Sequence, residues 1–111
     1  MSDSKNLIIG LDGVPYELIK KYTDNGVMPF VKSIIDKGIF RAMNSSLPAV
    51  SSTAWTSFFT GQNPAVHNVY GFYDLSEDFQ LKFNLYDANR GIPVWTKLKN
   101  ENKRTMALNI P

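Results

Sequence analysis

Residues 7–13 have the sequence Leu-Ile-Ile-Gly-Leu-Asp-Gly, an apolar run that turns polar at Asp12. A continuous apolar run of this length is typical of a strand that is buried on both faces of a parallel sheet. Asp followed by Gly favours a tight turn after such a strand. The segment therefore predicts a strand over 7–11 with Asp12 at its carboxyl end.

Helix-like and strand-like patterns alternate along the rest of the chain. Proline at the start and glycine at the end mark helices over 15–26 and 29–38. Apolar residues spaced i, i+1, i+4, i+5 mark a third helix, which follows the hydroxyl cluster 51–53 and ends at Gly61, and Pro93 starts a last helix. Further strands are predicted over 39–43, 79–85 and 106–110. The alternation predicts an α/β fold with a mainly parallel sheet and flanking helices.

The composition narrows the function classes. The 111 residues are 43% hydrophobic and 20% charged, which is typical of a globular domain. The net charge is +2, and the basic residues are scattered, so a nucleic-acid partner is not indicated. Because there is no cysteine and the single histidine is His67, disulfides, thiol nucleophiles and multi-histidine metal cages are excluded.

The two ends of the sequence lead to expectations about location and domain organisation. The apolar run at 7–11 is too short for a signal-peptide core or a membrane span, so we expect a cytoplasmic protein with no membrane contact. The chain stops at Pro111, directly after an apolar strand pattern, with no helix to cover that strand. We therefore expect residues 1–111 to be the N-terminal part of a single larger catalytic domain.

Two positions are candidates for catalysis. Asp12 follows the first predicted strand, at the sheet edge where ligands bind in open α/β folds, and its carboxylate suits a divalent metal. The alternative is a simple turn at Asp12-Gly13. Ser51, Ser52 and Thr53 precede a helix whose N-terminus can bind a phosphate, and an activated hydroxyl there can attack phosphorus. The alternative is ordinary helix capping.

Other polar and aromatic residues have weaker signals. His67 lies in a loop, where it is either a ligand or acid or a structural hydrogen-bonding residue. The aromatic stripe of the third helix is expected in the core. Three more aromatic residues either line a pocket or pack the loop: Tyr70, Phe72 and Tyr73.

Six segments, in this order, carry a resemblance to a known family: 6–13 (NLIIGLDG), 28–30 (MPF), 48–61 (PAVSSTAWTSFFTG), 63–67 (NPAVH), 92–95 (IPVW) and 108–111 (LNIP). Together they resemble the N-terminal part of the type I phosphodiesterase/nucleotide pyrophosphatase family, within the alkaline phosphatase superfamily. The resemblance implies an alkaline-phosphatase-like α/β fold and small-molecule phosphate ester substrates.

The resemblance also implies roles for single residues. Asp12 corresponds to the family's metal-binding aspartate, and Ser51, ten residues before Gly61, corresponds to its nucleophile, which also contacts metal. Two divalent ions, commonly zinc, with manganese or magnesium as alternatives, activate this hydroxyl to form a covalent phospho- or nucleotidyl-enzyme. Ser52 and Thr53, at the same helix N-terminus, are expected to bind phosphate.

The sequence departs from the family at several points. Phe72 stands where nucleotide pyrophosphatases have a phosphate-binding asparagine, which argues against nucleotide substrates, and Asn68 replaces a common glycine after His67. The family's other metal ligands come from further downstream, so we expect the 111 residues alone to be inactive. Two alternatives stay open: a non-catalytic α/β module that binds an anion or a protein, and a phosphomutase or sulfatase relative.

Overall fold

The structure is a computed structural model that describes residues 5–83 and 91–110. These residues form helices α1 (Tyr16–Asp24), α2 (Pro29–Lys37), α3 (Ser51–Thr60), α4 (Pro64–His67) and α5 (Val94–Asn100) and strands β1 (Tyr73–Leu75) and β2 (Leu81–Phe83). The chain divides into two compact units, Met1–Met43 and Asn44–Pro111. None of these helices is long and apolar enough to cross a bilayer.

The first unit contains α1 and α2, joined by a turn at Gly26, whose φ is 71°. The two residues after Gly26 donate backbone N–H bonds to the carbonyl of Tyr22, at 2.9 and 3.3 Å. The helix predicted over 29–38 is confirmed as α2, because Pro29 takes its first position and Gly38 ends it. The turn is therefore encoded locally by glycine and proline.

Contacts between side chains stabilise α1. Lys20 and Asp24, one turn apart, form an ion pair of 2.6 Å, and the hydrogen bond from Lys20 to Asp24 raises the pKa of the ammonium group. The ring of Tyr16 stacks on Phe40 with centroids 4.4 Å apart. The helix predicted over 15–26 is confirmed, and it begins one residue after Pro15.

The predicted strands of the first unit are not formed. Residues 7–11 and 39–43 have no strand pairing within the described part of the chain. Apart from the half-buried Phe40, their side chains are exposed, with Ile9 at 74% and Ile39 at 83% of full exposure. A parallel strand needs neighbouring strands and a helix layer on each face, and the described residues place neither around these segments. The predicted mainly parallel sheet is thus not shown.

The second unit begins with α3, whose N-terminus differs from the prediction. Val50 is the N-cap, and the first helical hydrogen bond runs from Ala54 N to Val50 O at 2.9 Å. Ser51, Ser52 and Thr53 are therefore the first three helical residues, and no side chain caps the helix. The capping alternative for the Ser-Ser-Thr cluster is wrong, because the helix starts three residues earlier than its apolar stripe.

The hydroxyl side of α3 is more buried than its aromatic stripe. Thr53 and Thr60 have 0% and 3% exposure, whereas Phe58 is 51% exposed. Trp55 and Phe59 are half-buried and stack with ring centroids 5.4 Å apart. The expectation of a core stripe is therefore confirmed only in part, since one of its three rings faces outward.

Helix α5 packs on α3 through one ring contact and one charged hydrogen bond. The rings of Phe59 and Trp95 lie 5.1 Å apart, and Lys97 Nζ donates to Thr60 O at 3.1 Å. Lys97 thus places a positive charge at the C-terminus of α3, where a helix dipole favours a cation. The predicted helix start at Pro93 is confirmed to within one residue.

A short hairpin is the only strand pairing that the structure describes, and it is antiparallel. Tyr73 pairs with Phe83, and Leu75 with Leu81. The strand predicted over 79–85 is confirmed only over Leu81–Phe83: Phe79 lies in the turn with φ 58°, and residue 85 is outside the described residues. The predicted strand at 106–110 has no pairing, for the same reason as the strands of the first unit.

Gly91 is a position where the fold requires glycine. Its φ is 114°, and an added Cβ would lie 2.4 Å from Gln62 Oε1 and 3.0 Å from Thr60 Cγ2. We expect Gly91→Ala to lower the free energy of unfolding by about 1–3 kcal/mol, through backbone strain and overpacking. Urea denaturation measures this change.

Gly71→Ala is the matched control. A Cβ on Gly71 would lie 3.7 Å from Tyr73 O, an ordinary van der Waals contact. We therefore expect a change within about 0.5 kcal/mol. Equal effects of the two substitutions would show that the close approach at Gly91 does not limit stability.

Candidate functional site

Asp12 lies in a turn with Gly13, whose φ is 66°. The turn is the alternative that the sequence left open, and the structure forms it. The Asp12 side chain is exposed, so its carboxylate remains accessible from solvent. Because the preceding strand is not formed, the sheet-edge position predicted for Asp12 is not shown. Asp12 therefore forms part of a turn and also has a carboxylate that is accessible from solvent.

Ser51 is the first residue of α3 and is half-buried. The first backbone N–H groups of a helix have no partner inside the helix, and the helix dipole makes this end favourable for an anion. In α3 no acidic side chain occupies the first turn. The helix therefore offers its positive end to an external anion beside the Ser51 hydroxyl.

Two buried hydroxyls follow Ser51 in the same turn. Ser52 Oγ and Thr53 Oγ1 have almost no solvent contact and no hydrogen-bond partner in the protein. Thr53 as a whole is fully buried. Leaving a buried polar group unsatisfied costs about 1–3 kcal/mol, and native proteins avoid such groups unless a water, ion or ligand satisfies them. The start of α3 therefore contains two hydroxyls that are closed to solvent and whose hydrogen-bonding capacity the protein does not satisfy.

His67 is fully buried at the end of α4, and both of its ring nitrogens make hydrogen bonds. The N–H of Val69 donates to Nδ1 at 3.1 Å, so Nδ1 carries no proton. Nε2 lies 2.8 Å from Ser57 Oγ. In the neutral ring the proton is then on Nε2, which donates to Ser57.

This tautomer decides what the Ser57–His67 pair can do. A catalytic serine–histidine dyad requires an unprotonated nitrogen that accepts the serine proton. Here the nitrogen facing Ser57 carries the proton, and the ring is sealed from solvent. The geometry therefore excludes His67 as a general base for Ser57 and supports the structural alternative that the sequence left open.

The described residues do not by themselves build a complete metal site. Across 5–83 and 91–110, no three or more His, Asp and Glu side chains are grouped so that they could hold an ion. Asp12 offers a carboxylate and Ser51 a hydroxyl, both oxygen donors that divalent metals accept. The nitrogens of His67 are used by Val69 and Ser57. Asp12 in the first unit and Ser51 in the second therefore each offer one oxygen that suits a divalent metal.

Three aromatic residues, for which the sequence left a pocket or loop packing open, are largely exposed. Tyr70, Phe72 and Tyr73 are each about half exposed or more, and Tyr73 packs edge-on against Phe83 across the hairpin at 5.4 Å. An open cavity of about 460 Å³ lies at the hairpin end, lined by Asp74, Leu75, Ser76, Glu77, Asp78 and Lys82. Because three carboxylates and one lysine line this cavity, its net charge is negative and repels a phosphate. The start of α3 is therefore the better anion site.

Ser57 is a site residue that the sequence analysis missed. Its hydroxyl lies 2.8 Å from Nε2 of the buried His67 ring. The signal was present in the sequence, since hydroxyl residues recur at 53, 56, 57 and 60, the spacing of one helix face. The prediction for this helix rested on its aromatic stripe instead.

The sequence and structure of this chain were compared with known families, curated proteins and solved structures. The family model for type I phosphodiesterase / nucleotide pyrophosphatase matches residues 6–111. The match covers both units and contains Asp12, Ser51 and His67. Searches of the curated proteins and of the solved structures found no match.

Proposed function

The chain belongs to the type I phosphodiesterase/nucleotide pyrophosphatase family, and we propose that it is a metal-dependent hydrolase of phosphate esters with Ser51 as its nucleophile. The family match supports a hydrolase of this family and implies small-molecule phosphate esters as substrates. Metal dependence and a covalent seryl-phospho intermediate are parts of this proposal.

The observation that carries the proposal is the first turn of α3. Ser51 begins the helix, and the next two residues hold buried hydroxyls without partners, at Ser52 and Thr53. A phosphoryl group at the helix N-terminus would accept hydrogen bonds from the backbone N–H groups and, after a rearrangement that exposes them, from these two hydroxyls. A phosphate bound there would lie beside the Ser51 hydroxyl, the geometry that nucleophilic attack requires.

The proposed reaction has two steps. The Ser51 hydroxyl loses its proton as its oxygen bonds to phosphorus, the bond from phosphorus to the leaving alcohol breaks, and the alcohol oxygen takes up a proton. Water then attacks the same phosphorus, releasing the phosphorylated product and restoring the Ser51 hydroxyl. In both steps the first turn of α3 supplies hydrogen-bond donors to the phosphoryl oxygens as their charge rises.

The proposal includes divalent metal ions, with Asp12 and Ser51 as residues that contact them. We propose Asp12 as a ligand of a divalent ion, zinc first and manganese or magnesium next, because its carboxylate is accessible. A bound divalent ion supplies Lewis acidity that makes a serine hydroxyl a competent nucleophile near neutral pH. Further ligands are required, since the described residues do not group three donors.

The proposal favours esters other than nucleotides. Phe72, which is 48% exposed, stands at the chain position where the resemblance implies a phosphate-binding asparagine in nucleotide pyrophosphatases. A phenyl ring donates no strong hydrogen bond to a phosphate. An aryl phosphodiester is therefore the first substrate to test, with a nucleotide diester beside it.

Metal removal tests this function. We expect the protein, in the longest form in which it occurs, to hydrolyse an aryl phosphodiester, to lose at least ~100-fold of that rate after chelation, and to regain it with zinc or manganese. Colorimetric release of the phenol measures the rate. Full activity in the presence of excess chelator would contradict metal dependence, and no activity with any of the three metals would contradict a hydrolase.

One observation favours a second candidate, a non-catalytic module that binds an anion. The Asp12-Gly13 turn is formed, and the unpartnered hydroxyls of α3 need only an oxyanion, not a reaction. Calorimetry with inorganic phosphate in the absence of metal separates the candidates. Phosphate binding without turnover would favour the module, whereas metal-dependent turnover favours the enzyme.

A further inference from the structure

We propose that His67 is a positioning residue for Ser51, which it holds in place through its hydrogen bond to Ser57 in the middle of α3. This inference rests on the proposed function, because it assumes that the placement of Ser51 matters for a reaction. The juxtaposition that carries it is the buried Ser57–His67–Val69 chain of hydrogen bonds.

The first step is that the His67 ring is fixed on both sides. The Val69 N–H holds Nδ1 at 3.1 Å, which sets the tautomer, and Nε2 then donates to Ser57 Oγ at 2.8 Å. The ring is fully buried, so water does not compete for either bond. A buried donor without a partner is unfavourable, and this penalty keeps the ring on Ser57.

The second step is that α4 provides a firm anchor for the ring. Pro64 starts this short helix, and Asn68 ends it in the left-handed conformation with φ 55°. The N–H of Asn68 bonds to Pro64 O at 2.8 Å. Only residues 61–63 join α3 to α4, so the Ser57–His67 bond closes a short loop and the two helices move together.

The third step is transmission along α3. Ser57 lies six residues after Ser51 in one uninterrupted helix, a distance of about 9 Å along the axis. A helix of this length transmits a shift at Ser57 to its first turn almost undiminished. A displacement of about 1 Å at a reacting group costs on the order of 100-fold in rate, so the anchor matters even though His67 touches no substrate.

The first experiment measures the hydrogen-bond chain without reference to activity. Nitrogen NMR of the histidine-labelled protein is expected to show that the His67 ring is neutral and protonated at Nε2 at pH 7.5. A ring protonated at Nδ1 would overturn the proposal. Because this measurement needs no substrate, it stands even if the proposed hydrolysis is not found.

The second experiment uses a matched pair of variants. Gln at position 67 keeps a donor at the place of Nε2, whereas Asn keeps only an acceptor at the place of Nδ1. We expect His67→Asn and Ser57→Ala each to lower kcat by about 10- to 100-fold with little change in KM, and His67→Gln to stay within about threefold of the parent protein. The double variant H67N/S57A is expected to be no slower than the slower single variant.

The outcomes separate positioning from the other roles of His67. If His67→Asn and Ser57→Ala leave kcat unchanged and only lower the denaturation midpoint, His67 is merely structural and the proposal fails. Additive losses in the double variant would likewise overturn coupling through Ser57. Ser57→Ala keeps the buried ring, so it tests the same link if His67→Asn does not fold. If the parent protein itself has no activity, the proposed function fails, and the NMR result alone decides the tautomer.

Discussion

Ser51→Ala is expected to lower the hydrolysis of an aryl phosphodiester by at least ~1,000-fold, since loss of a nucleophile in comparable hydrolases costs this much or more. Removing the hydroxyl removes the atom that would form the bond to phosphorus. The helix itself is retained, because alanine is the best helix former and Val50, not Ser51, is the N-cap. Rates with saturating zinc or manganese, compared with the parent protein, measure the effect.

Ser52→Ala is the matched control. It removes a neighbouring hydroxyl in the same helical turn, so we expect a loss within about tenfold, the size of one hydrogen bond to a phosphate oxygen. Mass spectrometry of rapidly quenched protein is expected to find phosphate on the peptide that contains Ser51, and none in Ser51→Ala. Turnover by Ser51→Ala close to that of the parent protein would refute the nucleophile assignment, and phosphate on Ser52 would move it by one residue.

Asp12→Asn is expected to weaken zinc binding by at least ~100-fold. Groups that only hydrogen-bond to a metal ligand typically change metal affinity by about 10- to 100-fold, and a carboxylate that binds the metal directly contributes more. Asparagine tolerates the same turn as aspartate, so the substitution isolates the charge from the backbone conformation. Isothermal calorimetry of zinc uptake gives the affinity, and the metal concentration for half-maximal hydrolysis should rise in parallel.

Asp36→Asn is the control for an exposed carboxylate of the same unit. Asp36 pairs with Lys32 on the surface of α2, and we expect its loss to leave zinc affinity within about twofold. Equal weakening in both variants would indicate general electrostatics. Unchanged affinity in Asp12→Asn would show that Asp12 only forms the turn, which is the alternative that the sequence analysis left open.

The local signals predicted four of the five described helices, but they missed α4, where His67 was expected in a loop, and they predicted the strands poorly. Proline and glycine placed α2 within one residue, and Gly61 ends α3 in the left-handed conformation with φ 69°. These signals act over a few residues, so they survive in any tertiary context. The strands at 7–11, 39–43 and 106–110 depended on partners elsewhere, and the described residues do not pair with them. Apolarity alone does not form a strand.

The candidate site shows the same division. Ser51 was chosen from a spacing and a helix start, and the structure places it at the first position of α3. The prediction did not include Ser57, because the aromatic stripe was taken to define the buried side of α3. Burial of Thr53 and Thr60 shows that the hydroxyl side contributes as well. A hydroxyl is buried only where specific partners or a ligand satisfy it, and a helical pattern does not reveal them.

The amino-acid sequence on its own determined the family, the helix boundaries marked by proline and glycine, and the candidates Asp12 and Ser51. It did so because these depend on residue type and short spacing. The packing of the chain determined the tautomer of His67, its bond to Ser57 and the bond from Lys97 to Thr60. These contacts join residues 10 and 37 positions apart. Such contacts form only when burial and geometry are satisfied together, and no local pattern encodes that combination.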